Sequence, residues 1–278
     1  MESITVIMSV YDGDQPEHLY KAIESVTVAQ TLQPRQLILV EDGALRRALR
    51  SVVNLWQRRL RGRMLIIRNR QNVGLTKSLN RAIALARGTL IARMDSDDVS
   101  LPDRFRRQVQ FLRNHPDVAI VGGAIEEFED EQRCGCVREY PLSHDDIVGV
   151  IHRFSPLAHP AVMIRRKVFV CGVRYDERWR TSQDVALWFE AIERGWRMAN
   201  VRDVVLRFRC DERLYRRRGV AKAWDELRIY VQGIHTLYGL FSWRYIFPLA
   251  RFCVRLLPPR IIRLLYHSPI RNLARRTA

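Results

Sequence analysis

Short apolar runs alternate with amphipathic stretches through the first hundred residues. Ile4 to Val10, Gln36 to Val40, Met64 to Ile67 and Thr89 to Met94 are runs of four to seven residues, the length of buried strands. Between them, His18 to Ala29, Ala44 to Leu60 and Leu75 to Ala86 carry helical patterns. The last puts Leu75, Leu79, Ile83 and Ala86 on one face at a 3.6-residue period. Strands alternating with helices predict an α/β fold: a mostly parallel sheet with right-handed crossovers, flanked by helices. Such a sheet binds its ligand beyond the carboxyl ends of its strands. Tyr11-Asp12, Glu41-Asp42, Arg68 and Asp95 to Asp98 are therefore expected around one crevice.

Further on, Pro102 opens a helix that runs through Leu112, with Arg104, Arg106, Arg107 and Arg113 on its outer faces. Val118 to Gly122 reads as a strand, and Glu126 to Tyr140 as short strands or loops. Ala161 to Ile164 is a strand introduced by His159-Pro160. A helix from Val185 has Val185, Trp188, Phe189 and Ile192 as its apolar face and stops at Gly195. Met198 to Phe208 is extended. The remainder is helical and basic, broken at Pro248 and Pro258-Pro259. The expected division is a catalytic α/β unit over residues 1–212 and a basic, amphipathic helical extension over 213–278.

The chemistry concentrates where the fourth apolar run meets Asp95, Asp97 and Asp98. Clustered carboxylates repel one another, so they are a poor device for stability. They are a good one for a hard divalent cation, manganese or magnesium, which bridges to phosphate oxygens. No Gly-x-Gly-x-x-Gly and no Walker loop is present. A phosphate-bearing ligand would be held through a metal and not by a glycine-rich cradle.

Charge changes the picture mainly at the C-terminus. The chain of 278 residues carries a formal +17, and from Arg213 to Ala278 fourteen Lys and Arg stand against two acids, a net +12. Trp243, Ile246, Phe247, Ala250, Val254 and Leu257 form an apolar stripe there, interleaved with Arg244, Arg251 and Arg255. No stretch is long and uncharged enough to span a bilayer. A basic amphipathic segment rich in aromatics suits an anionic membrane surface. Nucleic acid is not the expected partner, because no helix-turn-helix, zinc-finger or RNA-binding signature appears. The five cysteines show no metal or disulfide framework, and Met1-Glu2-Ser3 leads straight into the first strand. The expected location is the cytoplasm, peripheral on the inner face of the membrane.

The ordered set of motifs resembles the family-2 glycosyltransferases of bacterial polysaccharide and lipopolysaccharide assembly. It comprises Ile4 to Asp14, Leu39-Val40-Glu41-Asp42-Gly43, Asn72-Val73-Gly74-Leu75, Ala86-Arg87-Gly88, Met94 to Asp98 and Ser182-Gln183-Asp184 with Leu187-Trp188. The resemblance covers about residues 3 to 210 and implies a GT-A fold, a nucleotide-sugar donor such as a UDP-hexose, a divalent metal and inversion. On that resemblance Asp95, Asp97 and Asp98 would hold the metal. Ser9, Tyr11, Asp12, Glu41, Asp42, Arg68, Lys77, Asp95 and Ser96 would bind the nucleotide sugar. Gln183, His159, Trp188 and Arg209 would bind a lipid-linked saccharide acceptor, with Asp184 as base. The residues alone leave alternatives open: Asp184 as a helix N-cap, Trp188 as core, His159 as structural. At the level of function the alternatives are a nucleotidyltransferase and a charge-driven nucleic-acid-binding module.

Overall fold

The structure, a computed structural model, describes residues 2–129, 135–210 and 220–256. Four parallel strands form one half of a nine-stranded sheet: β1 (Ile4–Val10), β2 (Gln36–Glu41), β3 (Met64–Arg68) and β4 (Leu90–Met94), in the order β3-β2-β1-β4. The connecting helices are α1 (Pro16–Val26), α2 (Arg47–Leu60) and α3 (Leu75–Ala84). Val6, Met8 and Val10 of β1 point into one core with Leu19, Leu49 and Trp56, whereas Ile7 joins Leu79 and Ile83 on the opposite face. Both faces are covered, which is why these strands read as unbroken apolar runs. The strand order reverses between β1 and β4, so a crevice opens at their carboxyl ends.

The second half of the sheet mixes directions. It adds β5 (Val99–Ser100), β6 (Val118–Phe128), β7 (Cys136–Arg138), β8 (Met163–Arg165) and β9 (Arg197–Arg209), and the full order is β3-β2-β1-β4-β8-β6-β9-β5 with β7 against β6. β8 runs antiparallel to both β4 and β6, while β6 and β9 pair in parallel. Helices α4 (Arg104–Asn114), α5 (His144–Val150), α6 (Arg166–Val170) and α7 (Gln183–Glu193) fill the connections.

Two expectations are corrected here. The strand at Val118 does not stop at Gly122 but continues to Phe128. Gly122 and Gly123 are there because β9 bears on them: a Cβ at Gly122 would meet Asn200 Oδ1 at 2.2 Å. Arg104 is not on an outer face. It is fully buried and donates to the carbonyls of Arg93 (2.8 Å) and Val162 (3.2 Å), beneath the acidic turn.

The C-terminal helices α8 (Val220–Tyr238) and α9 (Ile246–Leu256) form a hairpin on the catalytic unit. Ile229 and Tyr230 of α8 belong to the same buried cluster as Trp188 and Phe189. Gly233 gives α8 its close approach, since a Cβ there would lie 2.3 Å from the Phe189 ring. Leu257, Pro258-Pro259 and the basic run beyond them lie outside the described residues.

Candidate functional site

Two cavities meet at the carboxyl ends of β1 and β4. The first, of about 440 Å³, is lined by Ser9, Tyr11, Asp14, Asp42, Asn72, Gly74, Ser96, Asp97 and Arg209. The second, of about 810 Å³, is lined by Tyr140, Ser155, His159, Gln183 and Asp184 among others. Leu75, Arg93, Asp95 and Phe208 line both, so they form the wall between them.

The acidic turn after β4 sits on this wall. Ligand oxygens of Asp95, Asp97 and Asp98 lie within 4.8 Å of one another, and this is the metal-competent cluster among the described residues. Asp98 is buried; its Oδ1 accepts the backbone N–H of Arg209 at 2.9 Å, and its Oδ2 has no partner. Asp97 is pushed up to about 7 by desolvation and by the charges of Asp95 and Asp14. Desolvation, with Asp95 and Asp97 close by, also raises Asp98. A buried carboxylate oxygen without a donor, in a cluster too crowded to ionise freely, fits a divalent cation. Arg93, 2% exposed, donates from both terminal nitrogens to Asp95 and fixes the turn's orientation.

Other expected residues are placed unequally. Tyr11 folds over Gly13, where a Cβ would lie 2.4 Å from its ring, and so faces the smaller cavity. Ser96 lines the same cavity and donates to Asp14 Oδ2 at 2.8 Å. Asp42 reaches the cavity too, but its carboxylate is already engaged. It accepts the N–H groups of Val73 (2.8 Å) and Gly74 (2.9 Å) and the Asn69 amide (2.8 Å), clamping the segment after β3.

Asp12, Glu41, Arg68 and Lys77 line neither cavity. Asp12 is exposed and accepts the Arg46 N–H at 2.5 Å, so it pins the start of α2. Arg68 pairs with the buried Glu41 at 3.1 Å, one strand away from the crevice. Lys77 points to solvent from α3. Asp12, Glu41 and Arg68 were expected from their places at strand ends and Lys77 from the family resemblance; side-chain pairing or helix phase turns each away from these cavities.

On the larger cavity, Asp184 occupies the first turn of α7. The cap position belongs to Ser182, whose left-handed backbone (φ 56°) turns the chain into the helix. The Val185 N–H holds the Asp184 carboxylate, Ser155 Oγ stands 3.5 Å away, and desolvation raises its pKa. Gln183 is buried and lines the same cavity.

His159 lines it as well, but its Nε2 faces Tyr175 Oη at 2.7 Å. Burial, with Arg93 nearby, drives its pKa well below the usual histidine range, so the ring is neutral. Trp188 is fully buried behind the site, its ring 6.2 Å from that of His159, and is core. Arg209 lies on the side of the smaller cavity, where its Nε donates to the Asp97 carbonyl at 3.0 Å. Asp14, Asn72, Ser155 and Phe208 line the cavities without having been expected as site residues. Asp14 and Asn72 had a legible signal, as the second acid of Tyr11-Asp12-Gly13-Asp14 and the first residue of Asn72-Val73-Gly74-Leu75.

With this geometry in view, similarity to known proteins is decisive. Residues 5–173 match the family described as Glycosyl transferase family 2. The chain belongs to this family. It is 30% identical over 265 residues to the amylovoran biosynthesis glycosyltransferase AmsE of Erwinia amylovora, covering 95% of this chain and 98% of that protein. It is 28% identical over 270 residues to the UDP-Gal:alpha-D-GlcNAc-diphosphoundecaprenol beta-1,3-galactosyltransferase of Escherichia coli, covering 96% of each.

Solved structures agree on the fold. The mannosyltransferase PcManGT from Pyrobaculum calidifontis, in complex with GDP-Man and Mn2+, superposes with a TM-score of 0.62 at 15% identity, covering 95% of this chain and 79% of that one. S. aureus TarS 1-349 gives a TM-score of 0.61 at 16% identity, covering 93% and 82%. The protein is a GT-A glycosyltransferase with a metal-competent acidic cluster.

Proposed function

We propose that the protein transfers a hexose from a UDP-sugar, with inversion, to a lipid-linked saccharide during assembly of a bacterial surface polysaccharide. The work would take place on the cytoplasmic face of the membrane. One observation carries this reading: the carboxylates are sorted between two joined cavities. Asp95, Asp97 and Asp14 border the smaller, and Asp184 stands in the larger across the wall formed by Arg93 and Asp95. A donor in the first would present its anomeric carbon to an acceptor in the second.

Asp184 takes the proton from the acceptor hydroxyl as its oxygen bonds to the anomeric carbon. The bond from that carbon to the diphosphate breaks, and the nucleoside diphosphate leaves with the electron pair. A raised carboxylate pKa strengthens Asp184 as a base near neutral pH. A manganese or magnesium ion held by Asp95, Asp97 and Asp98 would neutralise the diphosphate and act as Lewis acid. Asp42, by clamping Val73 and Gly74, shapes the nucleotide side without needing to touch the base. The names of the E. coli and E. amylovora relatives, a GlcNAc-diphosphoundecaprenol galactosyltransferase and an amylovoran biosynthesis glycosyltransferase, support this reading.

The test is a panel of UDP- and GDP-sugars with purified full-length protein and manganese. The readouts are nucleoside diphosphate release and the anomeric configuration of the product. Release from a UDP-hexose should rise when an N-acetylglucosamine diphosphoryl lipid is added, and an α-linked donor should give a β-linked product. Retention of configuration, or turnover of GDP-sugars alone, overturns the reading.

A further inference from the structure

The surface most at odds with an ordinary soluble protein is the outer side of the α8–α9 hairpin. Ile246, Leu249, Ala250, Cys253 and Val254 recur at i, i+3, i+4, i+7 and i+8, the spacing of a buried helical stripe. All five are exposed. At the hairpin tip, after the left-handed Gly239, Leu240 is 63% exposed and Phe241 97%.

The arginines of α9 reach back to α8 instead. Arg251 and Arg255 both pair with the buried Glu226 of α8, and Arg251 also stacks over Tyr230 at 4.8 Å. The Glu226 carboxylate offsets one of the two guanidinium charges. The amphipathic helix is thus mounted with Arg251 and Arg255 reaching back to Glu226 of α8 and its apolar stripe toward the outside.

We propose that this apolar shoulder, led by Phe241 and the Ile246-Leu249-Val254 stripe, inserts into the bilayer interface and docks the enzyme by the hydrophobic effect. The proposal rests on the membrane-facing acceptor of the functional reading and names the surface that meets the lipid. Two further observations select a lipid surface as the occupant. First, the chain continues from α9 into residues 257–278, which carry five arginines and no acid. That composition adds charge complementarity to anionic headgroups beside an apolar wedge. Second, the hairpin returns toward the acceptor cavity. Phe252 of α9 packs against the exposed Trp224, ring centroids 5.5 Å apart and tilted by 55°, and the neighbouring Lys222 and Asp225 line that cavity. A hairpin seated in the interface would hold the cavity mouth beside the headgroups, where a lipid-linked saccharide presents its sugar.

Vesicle sedimentation of the full chain tests this, using neutral phosphatidylcholine and vesicles one-third phosphatidylglycerol, each at 0.1 M and 1 M NaCl. The comparison is with the variant Phe241→Ser/Ile246→Ser/Leu249→Ser, whose three positions are exposed and outside the catalytic machinery. Wild type should bind both vesicles, bind anionic ones more tightly, and remain bound at 1 M NaCl. The variant should lose about 100-fold or more in partition, given the usual worth of three large apolar side chains. Its melting temperature and turnover of a short water-soluble acceptor should not change.

Undiminished binding by the variant, or complete release of wild type at 1 M NaCl, overturns the wedge and leaves the basic segment as the attachment. A wild-type dimer in sedimentation velocity that the variant disperses assigns the shoulder to a second copy. No binding to either vesicle removes the membrane partner as well. Transfer to the soluble acceptor then shows separately whether the glycosyltransferase reading stands.

Discussion

Asp97 and Asp98 are the residues whose chemistry is most dependent on what they hold. A carboxylate raised to about 7 in the folded chain, against about 3.9 when unfolded, binds more protons folded than unfolded between those values. Stability of the metal-free protein therefore falls as pH climbs from about 4 to 7, since the slope follows the difference in bound protons. Asp98, raised in the same direction, adds to it. A divalent cation relieves the repulsion and displaces the protons. Saturating Mn2+ should raise the melting temperature more at pH 7.5 than at pH 5.5, and a larger rise at pH 5.5 would refute the assignment. Asp97→Ala should abolish both this shift and sugar transfer while leaving a folded protein, checked by circular dichroism.

Asp184→Asn separates the two cavities: it keeps the shape of the side chain but cannot take a proton. Transfer should drop on the order of 10² to 10⁴, with calorimetric binding of UDP and manganese unchanged. Weakened UDP binding would put Asp184 on the donor side instead.

At the scale of elements, the chain announces its parallel half and hides its mixed half. β1 to β4 are covered on both faces, so each reads as an apolar run ended by polar residues. β6 and β9 are longer and bulged, with register shifts at Val118/Ile120 and around Ala124, which breaks the pattern sequence reading depends on. The acidic turn stood out because charge at a strand end is local information, whereas Asp184 came from the family resemblance, its position alone also suiting a helix N-cap. The partner of each side chain is not local information. Nothing in the sequence distinguishes Glu41, tied to Arg68, from Asp42, tied to Val73 and Gly74. Nor does it show that Arg209 would reach the Asp97 carbonyl. The clamp gives an element-level prediction. Asp42→Asn leaves one of three N–H donors without an acceptor, at a cost of about 1–3 kcal/mol. The segment that carries Asn72 and Gly74 along the donor cavity should loosen. Donor KM should rise several-fold in steady-state kinetics while acceptor KM holds; a pure loss of kcat would assign Asp42 a direct part in the reaction.

For the whole molecule, the question is where the catalytic body ends. A boundary is expected at residue 212, because charge and resemblance both change there. Packing divides the chain elsewhere. Ile229, Tyr230 and Ile234 of α8 are at most 3% exposed, and Ile229 and Tyr230 share a buried cluster with Phe189 of α7, the helix that carries Asp184. Burying each such side chain is worth about 1.5–3 kcal/mol, so losing all three removes an amount comparable to the whole stability of a typical domain, about 5–15 kcal/mol. α9, by contrast, contributes little to that core and exposes its apolar stripe. A chain ending after Tyr238 should therefore fold and turn over a short soluble acceptor at near wild-type rate. A chain ending at Glu212 should unfold at a much lower denaturant concentration and lose turnover, because α7 is uncovered and Asp184 with it. Equal stability of the two truncations, measured by urea unfolding, would show that α8 is an appendage and not part of the catalytic body.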